Sequence, residues 1–150
     1  MLSAAKRFFD KHFSADSAAS DVDDDARLRL AVAALLVEVL RADYDVSGPE
    51  RRQVLSSIRD VLALDAEAAE QLLMMAEEEI DTSHDLYQFT SRINRAFSAE
   101  QKQRLVEQLW RVAQADETVH KYEEHIIRRV SDLLHVPHSA FIAAKLRAEN

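Results

Sequence analysis

The amino-acid sequence predicts an all-α fold, a single-domain helical bundle of about seven to eight helices with an internal pseudo-two-fold repeat. Three observations carry the prediction. The chain of 150 residues has one glycine and two prolines, too few for the turns of an all-β fold. Ala, Leu, Glu, Arg and Gln, all good helix formers, are abundant. Hydrophobic residues make up 47% of the chain and recur at helical spacing, enough to fill one core in a domain of this length.

The elements follow in chain order. Leu2, Ala5, Phe8, Phe9 and Phe13 are helically spaced, with Lys6, Arg7 and Lys11 between them. This pattern predicts a short amphipathic helix that docks on the protein's own core; peripheral membrane contact through residues 1–13 is the alternative. Residues 14–25 are rich in Ser, Ala and Asp and lack an apolar pattern, so residues 1–25 read as that helix plus a mobile acidic linker. Residues 26–150 form the helical domain. Its first helix, about 26–42, is apolar on nearly every side (Leu28, Leu30, Val32, Leu35, Leu36, Val39, Leu40) and is expected at the centre. Ser47 and Glu50 have capping-box spacing, and Pro49 suits a first helical turn, so a helix is predicted over 49–62 with Val54, Leu55, Ile58, Val61 and Leu62 inward. Asp65 caps a helix over 66–80, with Leu72, Leu73 and Met75 inward. After a connection at 81–84, a helix over 85–96 presents Leu86, Phe89, Ile93 and Phe97. Ser98 and Gln101 form a second capping box opening a helix to about 115, with Leu105, Leu109, Trp110 and Val112 inward. Further helices are predicted over 121–134 and, beyond the break at Pro137, over 138–148.

Two segments resemble each other 73 residues apart. Ala42-Asp43 is followed by Val46 and Glu50; Ala115-Asp116 is followed by Val119 and Glu123. Each aspartate ends one helix and each glutamate opens the next, and a turn between antiparallel helices brings such positions close. The valine between them can plug the loop into the core. Asp43, Glu50, Asp116 and Glu123 thus form two acidic corners whose oxygens could hold Ca²⁺ or Mg²⁺. Capping and helix-dipole complementarity explain the same residues without a metal.

These residues carry a family resemblance. Ala-Asp-x-x-Val-x-x-x-Glu, present twice between apolar helices, resembles the tellurite-resistance protein B (TerB-like) family over residues 27–146. The stretch from Ala115 to Val136 is its most specific part. The resemblance implies an all-helical bundle with internal pseudo-symmetry, a setting in tellurite resistance or stress response, and a possible divalent-metal role for the four acidic residues. Some relatives stand beside a DnaJ module at the membrane; this chain has no His-Pro-Asp triplet and no J-domain. Where family members often carry glycine after the aspartate, this chain has Tyr44 and Glu117, and Lys121 stands where the first repeat has Gly48.

Charge and composition exclude several classes. The net charge is −8, which disfavours nucleic acid and suits cations or a basic protein partner. There are no cysteines, hence no disulfide, thiol catalysis or Cys-type metal site. The longest apolar stretch, residues 30–40, is interrupted by Glu38 and is far short of the ~20 residues of a membrane span. No secretory signal pattern is present, so a cytoplasmic location is expected. Asp43-x-Asp45-x-Ser47-Gly48 starts like an EF-hand loop, but its twelfth position is Val54 where a bidentate glutamate is required. Glu117-x-x-His120 is half of a di-iron motif with no second copy. His84-Asp85 resembles the dyad of HD-type metal-dependent phosphohydrolases, but His12, His120 and His125 make no matching ligand set, and Asp85 reads more simply as a helix cap. The leading expectation is a non-enzymatic cytoplasmic module that binds divalent metal or a protein partner in a stress-response setting. A metal-free protein-interaction module is the alternative, and a phosphohydrolase the remote one.

Overall fold

The computed structural model describes residues 19–42, 48–82, 85–115, 119 and 121–149, with side chains at all of these except 19–24, 81 and 82. Seven helices account for nearly all of them: α1 (Ala19–Ala42), α2 (Gly48–Leu62), α3 (Ala66–Thr82), α4 (Tyr87–Ala96), α5 (Ala99–Gln114), α6 (Lys121–Leu133) and α7 (His138–Glu149). No strand occurs among the described residues. The fold is the all-α bundle the sequence predicts. The amphipathic helix predicted over residues 2–13 lies outside the described residues.

α1 is the central helix because its middle, residues 30–37, is apolar on every side. Residues 31–37, Val39 and Leu40 are buried, and the helix packs against α2, α3, α4, α5 and α6. Its start differs from the expectation: the backbone is helical from Ala19, so part of the predicted linker is helix. Asp21 and Asp23 to Asp25 lack apolar periodicity, but acidic residues near a helix N-terminus complement its dipole. The second hub is α5, which packs against α1, α2, α6 and α7 and buries Leu105, Val106, Leu109, Trp110, Val112 and Ala113. Each such aliphatic side chain removed from water contributes about 1.5–3 kcal/mol. Trp110 is fully buried and its ring lies 5.3 Å from that of Phe141 on α7.

Local hydrogen bonding sets several helix ends. Asp65 Oδ1 accepts from the Ala68 amide at 2.8 Å, capping α3. Ser98 and Gln101 make the reciprocal capping box of α5, with bonds of 3.1 and 2.8 Å. The ends of α2 and α6 are matched. Ala63 (φ 54°) and His135 (φ 61°) both take the left-handed conformation. The next residue then bonds back five positions: the Leu64 amide to the Arg59 carbonyl at 3.3 Å, and the Val136 amide to the Ser131 carbonyl at 3.0 Å. This is the Schellman arrangement, usually built on glycine, made here by alanine and histidine.

Candidate metal centre

Glu50 and Glu123 are each the third residue of their helices, α2 and α6. Both are 0% exposed. Their burial follows from the sequence pattern: each stands at the head of an inward stripe. Glu50 is followed at helical spacing by the buried Val54, Ser57 and Ile58, and Glu123 by Ile127, Val130 and Ser131. A buried carboxylate costs several kcal/mol unless it is paired or neutralised. Neither glutamate is an unpaired charge. Their inward position separates them from ordinary dipole-complementing residues, which sit on the solvent side.

Contacts along the helices place the two glutamates at one end of the bundle. Arg29 Nη1 donates to the Leu62 carbonyl at 3.3 Å, so α2 runs back along α1, and its first turn lies by the C-terminus of α1. Arg51 Nη1 meets Glu77 Oε1 at 3.2 Å, so α3 runs back along α2 and brings its C-terminal half to the same end. Ser57 Oγ donates to Gln108 Oε1 at 2.7 Å, and Asp60 shares a cleft with Glu100 and Arg104. α2 and α5 are therefore antiparallel. From Ser57 back to Glu50 is about 10 Å of helix, and from Gln108 on to Gln114 about 9 Å, so Glu50 is level with the end of α5. α6 begins after a connection of six residues from that same end. Glu123, in its first turn, joins Glu50 there.

Asp43 and Asp116 lie outside the described residues, each directly after a described alanine, Ala42 and Ala115, at this end. Val46 and Ser47 are outside as well. Val119, the valine of the second repeat, packs half-buried against the core. Among the described residues no three His, Asp or Glu side chains stand in a metal-binding arrangement. The donor chemistry of the two glutamates is oxygen only, which suits a hard cation. Both signs stand at this end: Arg41 and Arg111 lie in the last turns of α1 and α5, and Arg51 follows Glu50. α3 carries Glu67, Glu70, Glu77, Glu78, Glu79 and Asp81 and no basic residue, and its C-terminal half flanks Glu50.

The remaining candidates fall elsewhere. Asp85 is exposed and its Oδ1 accepts from the Tyr87 amide at 3.0 Å, a backbone-capping use; His84 is outside the described residues. Glu117 and His120 are outside too, while Glu124 meets Arg128 at 3.6 Å across one helical turn. His12 lies outside, and His125, His135 and His138 are exposed and scattered. Val54, the twelfth residue of the EF-hand-like start, is fully buried in the core. Phe89 and Phe97 belong to the core, as their spacing predicts.

Two features escaped the sequence reading. One is the buried Ser57–Gln108 pair. Each member sits within an apolar i, i+3, i+4, i+7 stripe (54, 57, 58, 61 and 105, 108, 109, 112), a polar interruption that could have flagged it. The other is a cleft of about 320 Å³, lined by Asp60, Glu100, Arg104, Gln108 and Arg147 among others. It lies toward the opposite end of α2 from Glu50 and includes neither buried glutamate.

No described helix is long and apolar enough to cross a membrane. No curated relative and no solved structure matches the chain. The profile of the family described as tellurite resistance protein TerB matches residues 29–146, from within α1 to within α7. The match spans both acidic segments and both helical hubs, and the chain belongs to the TerB family.

Proposed function

We propose that this chain is a non-enzymatic, tellurite-resistance-related module that binds a divalent cation at one end of its bundle. Glu50 and Glu123 supply buried oxygens. Asp43 and Asp116, tied by chain connectivity to the ends of α1 and α5, complete the set. The observation that carries this reading is the burial of both glutamates on the inward stripes of α2 and α6, at the same end. The sequence pattern suggests two separate acidic corners; the antiparallel packing of α2 on both α1 and α5 favours one shared site. A hard cation with six or more oxygen ligands would offset the mutual repulsion of carboxylates gathered there.

Calorimetric titration with Ca²⁺, Mg²⁺ and Mn²⁺ tests the proposal. The expected result is saturable binding near one equivalent, lost in Glu50→Gln/Glu123→Gln and in Asp43→Asn/Asp116→Asn. Absence of heat from the unsubstituted chain, or equal binding by the variants, would refute it.

A second reading has its own observation. Glu67, Glu70, Met74 and Glu78 share the exposed face of α3, with Met74 56% exposed and no base on the helix. Such a face suits a basic protein partner, and that reading predicts capture independent of metal. The phosphohydrolase alternative gains no support, since Asp85 is spent on a backbone amide.

A further inference from the structure

We infer that Ser57 and Gln108 are positioning residues, whose buried hydrogen bond fixes the axial register of α2 on α5 and so sets where Glu50 stands. The pair is 0% and 4% exposed and bonded at 2.7 Å. Gln53 Nε2 donates to the same hydroxyl at 3.1 Å, and Gln108 Nε2 reaches Asp60 Oδ2 at 3.4 Å. Everything else on the inward stripe of α2 below Glu50 is aliphatic. Aliphatic stripes tolerate sliding, because a shift by one turn exchanges one apolar contact for another. A buried hydroxyl and amide do not. One turn of slippage sets Gln108 against Val54 or Val61 and leaves both polar groups desolvated without partners, a loss much larger than the net gain of making the bond. Registry is the best-attested role of a buried polar pair.

The other half of the molecule lacks this lock. Seventy-three residues from Ser57 stands Val130, and the same distance before Gln108 stands Leu35. Both are fully buried and apolar, on the helices α6 and α1, which pack together. The chain therefore specifies register by chemistry at one of its two corresponding helix crossings. A one-turn slip of α2 would carry Glu50 about 5 Å along the bundle axis. That would displace it from the end of α5, where the carboxylates of the proposed cation site gather; the metal arm of the test rests on that reading.

The chain has no cysteine, so a spin-label pair at Ser56→Cys and Ala99→Cys, both exposed positions, reports the α2–α5 register without background. The parent pair is expected to give one narrow distance. Ser57→Val/Gln108→Leu, which copies the other half, is expected to broaden that distance or displace it by about 5 Å while keeping helicity and thermal midpoint. Ser57→Thr keeps the hydroxyl and is expected to keep the parent distance. Should the double variant fail to fold, Gln108→Met, similar in length without the acceptor, carries the same comparison. In parallel, Mn²⁺ affinity is expected to fall at least tenfold in the double variant and to stay unchanged in Ser57→Thr. An unchanged narrow distance in the variant lacking the bond overturns the inference whatever the metal does. A displaced distance together with no Mn²⁺ binding by the parent chain upholds the register and overturns the cation reading instead.

Discussion

The α1–α2–α3 half and the α5–α6–α7 half share some local features and differ in others. Glu50 and Glu123 are both third in their helices and both buried. Ala63 and His135 close α2 and α6 with the same left-handed turn and the same five-residue back-bond. The interiors differ. Where α5 carries Trp110, α1 carries Val37; where the α2–α5 crossing has Ser57 and Gln108, its counterpart has Val130 and Leu35. α3 is capped by Asp65 and wholly acidic in its charges, whereas α7 follows Pro137 and carries Lys145 and Arg147. What matches is the buried third-residue glutamate and the closing turn. What differs is packing and outer surface, where each half can be filled or charged independently as long as volume is conserved.

The comparison can be broken most severely at the aromatic hub. Trp110→Ala is expected to cost about 3–5 kcal/mol by chemical denaturation, since it empties the contact with Phe141. Val37→Ala, at the corresponding place in α1, removes two carbons and is expected to cost about 2 kcal/mol. Equal costs would mean that the two hubs bear the core alike despite their sequences. Next in size is the side-chain cap of α3: Asp65→Ala is expected to cost about 1 kcal/mol, read as a lowered denaturation midpoint.

The matched turns offer a stabilising test. Ala63→Gly and His135→Gly each relieve a side chain held at positive φ, and each is expected to gain up to about 1 kcal/mol. A gain at one site only would show that the two turns are less alike than their backbones. The smallest effect is expected at the Arg147–Glu107 pair, 2.6 Å apart but half-exposed on the arginine side. Arg147→Ala should change stability by about 0–1 kcal/mol, with the difference fading at high salt.

Much of this architecture was legible from the sequence because its signals are local. Apolar periodicity located the helices, and the capping box at Ser98 and the cap at Asp65 fixed the starts of α5 and α3. The start of α1 was not legible by the same rule. Residues 19–25 extend a helix through Ala and Asp, with dipole complementarity and no apolar stripe to mark it. The repeat identified Glu50 and Glu123, and their spacing to Val54 and Ile127 already put them on the inward stripes. That both lie at one end was not legible, because it depends on α2 running antiparallel to α5. The crossing is set by contacts such as Ser57 to Gln108, 51 residues apart, which no local pattern encodes.

Paramagnetic broadening by Mn²⁺ tests the shared acidic end most directly. In a ¹H–¹⁵N spectrum of the folded chain, one equivalent of Mn²⁺ is expected to broaden the amides around Ala42, Glu50, Ala115 and Glu123 together. Those around Ala63, His135 and the Asp60–Arg104 cleft should stay sharp, and Glu50→Gln/Glu123→Gln should abolish the effect. Broadening confined to one of the two glutamates, or centred on the outer face of α3, would contradict a single cation site built from both halves.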